Sequence, residues 1–182
     1  MLLIVDNGSV FTTNISNILL KNQVEFNVVN FEQITDLDLT KFDAFIISGR
    51  RKNEQRMNAT NSEIIKHVVS TKKPLLGICY GTEILALTLG GTIRRSENVV
   101  KGLHIVNVKK PNSLCDKDIE VYQSHNYEIA KLGNKLENFA ISNTCQYEII
   151  KHKTLPIFGT QFHPEMSKDG ESLIQSFVKI IH

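Results

Sequence analysis

"PLLGICYGTEILA", residues 74–86, joins two patterns across a single cysteine. "LLGI" (75–78) is a short continuous apolar run and reads as a buried strand. "YGTEILALTLGG" (80–91) reads as an apolar helix closed by Gly90–Gly91. Cys79 stands at the join. Gly77 and Gly81 flank it as G-x-C-x-G, the cysteine form of the strand–turn–helix elbow that holds a nucleophile out of a sheet. The alternative is a buried structural cysteine, a common core residue. What the chain places at its other strand ends decides between them.

Upstream, strands and helices alternate. "LLIV" (2–5), "EFNVV" (25–29) and "DAFIIS" (43–48) read as strands. Residues 10–21 carry Val10, Ile15, Ile18 and Leu19 near helical spacing. "TNSE" (60–63) has capping-box form, with Thr60 as N-cap and Glu63 reaching back, and opens a helix holding Ile64, Ile65, Val68 and Val69. Short connections between such elements predict parallel strands with helices on both faces. Downstream, "LHIVNV" (103–108), "IEVYQS" (119–124), "FAISNT" (139–144), "QYEIIKH" (146–152) and "PIFGTQFH" (156–163) are strand-like with no long helix between them. Residues 170–181 place Leu173, Ile174, Phe177, Val178 and Ile181 on one helical stripe. The expected fold is α/β: an open, mostly parallel twisted sheet flanked by helices, flavodoxin-like, with a β-rich second half. One domain is expected over residues 1–182.

Composition narrows the function. The net charge of +2 is too balanced for a nucleic-acid partner, and "RR" at 50–51 and 94–95 forms no basic stripe. No apolar run approaches membrane-spanning length, and "MLLIVDNG" lacks the basic and long apolar regions of a signal peptide. Cys79, Cys115 and Cys145 are odd in number, form no CxxC and do not pair with histidines at zinc spacing. A reduced, cytoplasmic protein without a structural metal is expected. The chain carries no P-loop or other nucleotide signature.

In open α/β sheets reactive groups sit at the carboxyl ends of strands. Cys79 lies there, and the following helix N-terminus favours a thiolate. The Tyr80 N–H would face an oxyanion formed on the attacked carbon. "GTQFHPE" (159–165) supplies a partner at another strand end. In an extended segment His163 and Glu165 share a side, so Glu165 can orient the imidazole. His163 can then deprotonate Cys79 and later protonate a leaving amine. The other histidines suit this less: His67 is on a helix, His104 and His152 on strand-like segments, His182 at a terminus. His125 in "QSHN" (123–126) follows a strand and is a candidate binding residue.

With "GICYG" (77–81) and "QFHPE" (161–165) in place, and "LLIVDNG", "IISG" and "SH" in the expected order, essentially the whole chain resembles the class I glutamine amidotransferases. The resemblance implies a Cys79–His163–Glu165 triad that hydrolyses glutamine and delivers ammonia to a synthase domain or subunit. It implies an oxyanion hole from the N–H groups of Gly49 and Tyr80, and substrate binding by Glu83, Ser124 and His125. No metal or organic cofactor is implied in this chain; ATP and magnesium belong to a separate synthase subunit. Within the family, "VDNG", "YQSHNYEI" (122–129) and "TCQYEIIKHKTLPIFGTQFHPE" (144–165) resemble the stand-alone glutaminase subunits of archaeal-type GMP synthases, which serve XMP-to-GMP conversion. The alternatives are the small subunit of anthranilate synthase and a non-catalytic regulatory protein that keeps the fold.

Three stretches depart from the family pattern. "SGRR" (48–51) stands for "SGGP", Thr82–Glu83 for His-Gln or Met-Gln, and Tyr127 for an acid. A carboxylate at Glu83 is expected to weaken glutamine binding unless a cation such as Arg50 or Arg51 compensates.

Overall fold

The computed structural model describes residues 1–181; His182, read above as a terminal histidine, lies outside the described residues. Three strands near the N-terminus show how the sheet forms: β1 (Leu2–Asn7), β3 (Ala44–Arg50) and β4 (Leu75–Ile78). Their side chains alternate between two cores, as a period of two requires. Leu2, Ile4, Ala44, Ile46, Leu76 and Ile78 enter one core. Leu3, Val5, Phe45, Ile47 and Leu75 enter the other. A strand buried on both faces reads as an unbroken apolar run, which is why these three were visible in the sequence.

Helices cover each face. α1 (Thr12–Lys21) and α4 (Lys168–Ile181) bring Ile15, Leu19, Leu173 and Phe177 to the first core. α2 (Gln55–Thr71) and α3 (Tyr80–Thr88) bring Ile64, Val68, Ile84 and Leu85 to the second. No helix among the described residues is long and apolar enough to cross a membrane.

The remaining strands are β2 (Phe26–Asn30), β5 (Thr92–Val108), β6 (Ile119–Lys131), β7 (Leu136–Ile141), β8 (Ile149–His152) and β9 (Ile157–Thr160). The sheet order is β2-β1-β3-β4-β9-β8-β7-β5-β6. Pairings from β2 through β9 are parallel, and those from β9 to β6 are antiparallel. The β4–β9 pairing, Leu75↔Ile157 through Ile78↔Thr160, positions the site. It brings Cys79 and the segment after Thr160 to adjacent strand ends.

Several expected boundaries change. Thr60 is not an N-cap: α2 begins five residues earlier, at Gln55, and its N-cap Glu54 makes no side-chain cap bond. The added turn is held by tertiary packing, with Met57 buried and Asn61 donating to Asn7 Oδ1 at 2.7 Å. "LHIVNV" is only the end of β5, because the polar segment before it pairs with β6 across a register shift between Arg95 and Val100. "FAISNT" ends as a strand at Ile141, and "PIFGTQFH" leaves the sheet after Thr160. His125 lies inside β6, not in a loop after a strand. The helix stop holds: Gly91 N–H donates to Ala86 O at 2.8 Å.

The elbow is built by close packing. Cys79 has φ 52° and ψ −105°, outside the regions ordinary residues adopt. A Cβ on Gly81 would lie 2.3 Å from the Ile47 carbonyl oxygen, and one on Gly77 2.6 Å from the Gly81 oxygen. Cys79 N–H donates to Thr160 O at 2.7 Å. Thr82 Oγ1 lies 2.8 Å from Gly77 O and 2.9 Å from Thr160 O, sharing its hydrogen between the ends of β4 and β9. Gly81→Ala should therefore destabilise the protein by about 3 kcal/mol. Thermal denaturation should show a midpoint roughly 6–12 °C lower for a chain of this size. An unchanged midpoint would show that α3 can move away from β3.

Candidate active site

Three segments converge at the elbow: α3, the end of β3 and the segment after β9. The Cys79 N–H is already committed to Thr160 O. The next N–H, of Tyr80, opens α3, where no carbonyl within the helix can accept it. Gly49, the last residue but one of β3, lies beside the imidazole: a Cβ there would lie 2.9 Å from His163 Cε1. A side chain at that position would displace the ring.

His163 N–H donates to Tyr122 O at 2.8 Å, which ties this segment to β6. Its Nδ1 lies 2.8 Å from Glu165 Oε1. The pairing is the expected one, but the backbone is not extended. Pro164–Met166 form a short 3-10 turn with His163 as its N-cap. Pro164 favours this, because its fixed φ suits the first position of a helical turn. Phe11, which the sequence did not single out, packs edge-on to the His163 ring with centroids 4.8 Å apart.

Burial disfavours positive charge on His163, yet the imidazole's pKa is raised to about 10. The charge of Cys79 close to the ring outweighs burial, and Glu165 adds to it. Thiolate and imidazolium thus support each other. The arrangement provides a nucleophile, a proton carrier and a carboxylate that orients the carrier.

Glu83 lies one helical turn beyond Cys79 and is buried. Burial pushes its carboxyl up, opposed first by the Arg50 guanidinium, then by Gln161 and His163. Arg50 Nη2 is 3.6 Å from Glu83 Oε2, and Gln161 Nε2 donates to Glu83 Oε1 at 3.4 Å. Arg50 is therefore the compensating cation; Arg51 is exposed. Glu83, Arg50, Asn58, Tyr80 and Tyr127 line a cavity of about 160 Å³. Two larger clefts, about 550 Å³ each, lie at Arg94–Val100 and at Gly8–Arg51; Glu83 lines neither, and Cys79 and His163 line none of the three.

The other candidates are placed differently. Ser124 is half-buried on β6 opposite Lys101, and His125 pairs with Val100 on the opposite face. His125 Nδ1 lies 2.9 Å from Tyr127 O, and burial pushes its pKa down to about 4, so it is neutral. No hydrogen bond among the described residues joins Ser124 or His125 to Cys79, His163 or Glu83. Thr82 is not part of a substrate shell; its hydroxyl is spent on the elbow.

The model of the family "Glutamine amidotransferase class-I" matches residues 3–180. A glutamine-hydrolyzing GMP synthase subunit of Methanocaldococcus jannaschii is 33% identical over 187 residues, covering 99% of this chain and 97% of that protein. The protein of the same name from Pyrococcus furiosus is 31% identical over 186 residues, covering 99% and 98%. A crystal structure of a putative GMP synthase subunit from Thermoplasma acidophilum superimposes with TM-score 0.87 at 28% identity, covering 99% of this chain and 92% of that one. A glutamine amidotransferase from Thermotoga maritima shares the fold at TM-score 0.78 and 16% identity, covering 98% and 82%. With the family pattern spanning nearly its whole length, this chain belongs to the class I glutamine amidotransferases.

Proposed function

We propose that residues 1–182 act as one cytoplasmic glutaminase domain. It hydrolyses glutamine to glutamate and ammonia and supplies the ammonia to a separate ATP-dependent synthase subunit. The observation that carries this reading is Cys79 on a strained elbow beside His163, whose Nδ1 lies 2.8 Å from Glu165 Oε1. The names of the relatives favour XMP-to-GMP conversion over anthranilate synthesis as the use of the ammonia.

The Cys79 thiolate attacks the side-chain amide carbon of glutamine. The carbonyl π electrons move to oxygen, where the N–H groups of Gly49 and Tyr80 stabilise the oxyanion. His163, as imidazolium, protonates the departing nitrogen. The carbonyl re-forms, the C–N bond breaks, ammonia leaves and a γ-glutamyl thioester remains. Neutral His163 then takes a proton from water as the water attacks the thioester. The C–S bond breaks, which restores the thiolate–imidazolium pair and leaves a γ-carboxylic acid that gives its proton to solvent as glutamate leaves. Glu165 keeps Nδ1 occupied, so Nε2 faces the reaction throughout. This chemistry calls on no metal or organic cofactor in the chain; ATP and magnesium belong to the synthase partner.

Cys79→Ser should lower glutamine hydrolysis by at least ~10³-fold while the chain still folds cooperatively, because a serine hydroxyl is far less acidic than the thiol. An electrophilic glutamine analogue should label the wild type and Cys115→Ser, and leave Cys79→Ser unlabelled. Substantial turnover by Cys79→Ser would sink the assignment.

The raised pKa of His163 gives a second prediction. A histidine whose folded pKa lies above its ordinary 6.5 contributes stability that is full below about 6.5 and lost as pH rises through about 10. Removing the thiolate in Cys79→Ala should move the His163 titration toward neutrality and shrink that loss. NMR of the His163 Cε1 resonance from pH 5 to 11 measures it. An unchanged titration would show that Glu165 alone holds the proton.

A further inference from the structure

We propose that Glu148 and Gln123 are positioning residues for His163. Glu148 carries a proton, and the neutral acid and the amide pair through two hydrogen bonds that hold β6 against the segment bearing the imidazole. The proposal rests on the glutaminase reading only for what His163 does.

Three hydrogen bonds close a ring around that segment. Gln161 N–H donates to Glu148 O at 2.9 Å, which carries the β8–β9 ladder one residue beyond each strand. His163 N–H donates to Tyr122 O at 2.8 Å. Gln123, next to Tyr122 on β6, donates from Nε2 to Glu148 Oε1 at 2.7 Å. The ring runs from Glu148 through Gln161 to His163, across to Tyr122, and back through Gln123. Glu148 holds it at two points, with its carbonyl and with its carboxyl.

The side-chain link is complete only with a proton added. Glu148 and Gln123 are both fully buried. Glu148 Oε2 and Gln123 Oε1 are each closed off from water, and neither has a donor. A carboxylate here would strand two acceptors, which folded proteins rarely do. The two orphans belong to groups already joined at 2.7 Å through their other atoms. One proton on Oε2 satisfies both: the acid O–H donates to the amide oxygen while the amide N–H donates to the acid carbonyl.

The surroundings favour that proton. Burial pushes the Glu148 carboxyl up to about 7; Ser142 and Gln123 oppose the rise, and the Glu128 carboxylate on β6 adds to it. The Ser142 hydroxyl already accepts from the N–H groups of Thr144 and Cys145. Cys145, in the turn before β8, is neutral because burial pushes its thiol up. Arg94 on β5 is paired with Glu128 at 2.7 Å. Ionisation of Glu148 would break one of the two bonds and set a charge near Glu128 where water cannot answer it. β6 would then hold His163 less firmly.

Glu148→Gln tests this, because an amide there makes the same two bonds at every pH. A carboxyl whose folded pKa lies above its ordinary 4.5 contributes stability that is full below about 4.5 and lost as pH rises through about 7. The thermal midpoint of Glu148→Gln should therefore gain at least ~4 °C on that of the wild type between pH 5.5 and 8.5. The infrared difference between the two proteins should show a protonated carboxyl at pH 6 that is gone at pH 8.5. Their kcat/KM values for glutamine should match at pH 6. At pH 8, where about one Glu148 in ten keeps its proton, that of Glu148→Gln should be about tenfold higher. Glu148→Ala should lower kcat about tenfold at pH 6 with KM little changed. It should also displace the NMR resonance of His163 Cε1, which Glu148→Gln leaves in place. A midpoint difference or activity ratio that does not change with pH overturns the inference, as does a His163 resonance unmoved in Glu148→Ala; the glutaminase reading then stands. A wild type that does not hydrolyse glutamine overturns that reading, and the midpoints, the infrared difference and the resonance decide the inference by themselves.

Discussion

The left-handed backbone at Cys79 is the constraint on which the rest of the site depends. A non-glycine residue in such a conformation costs about 1–3 kcal/mol and persists only where its surroundings fix it. Here they do so from three sides. Gly81 packs directly against the Ile47 carbonyl, the Cys79 N–H is taken by Thr160, and the Thr82 hydroxyl bridges Gly77 and Thr160. These clamps come from β3, β4 and β9, whose parallel pairing is secured by the two cores. Core packing is thus converted into the aim of one sulfur. The same β4–β9 pairing delivers His163, since the chain leaves β9 beside the elbow it has just braced.

How much of this was legible followed from how local each constraint is. Gly77, Cys79 and Gly81 lie within five residues, so the elbow could be read directly. β1, β3 and β4 could be read because burial on both faces leaves an apolar run. The start of α2 could not: it depends on Asn61 meeting Asn7 across 54 residues. β5 was half hidden because its first part is polar and held by β6, not by a core of its own.

The site divides the same way. His163 and Glu165 were paired correctly by spacing, although Pro164 makes the backbone a 3-10 turn. Thr82 stood out only as a departure from the family pattern, because its local pattern does not say that its hydroxyl turns inward toward two carbonyls. Arg50 was one of two cations that could answer Glu83, and only the packing of its guanidinium on Tyr80 separates it from Arg51. Phe11 carried no signal at all; its role arises from α1 packing near the segment after β9.

Charge accounting across the site gives direction to the reaction proposed for it. Arg50 and Glu83 cancel, and so do the Cys79 thiolate and the His163 imidazolium, which leaves the Glu165 carboxylate as the excess charge. A neutral side-chain amide enters this field without opposition. Hydrolysis replaces it with a γ-carboxylate beside the regenerated thiolate, two like charges at contact range in a buried pocket. Their repulsion is strong where water screens poorly. Release follows from the reacting end: in the proposed reaction the site favours the uncharged amide over the acid it makes. Ammonia leaves as a neutral molecule, because His163 gives the nitrogen one proton in breaking the bond and then recovers its own from water.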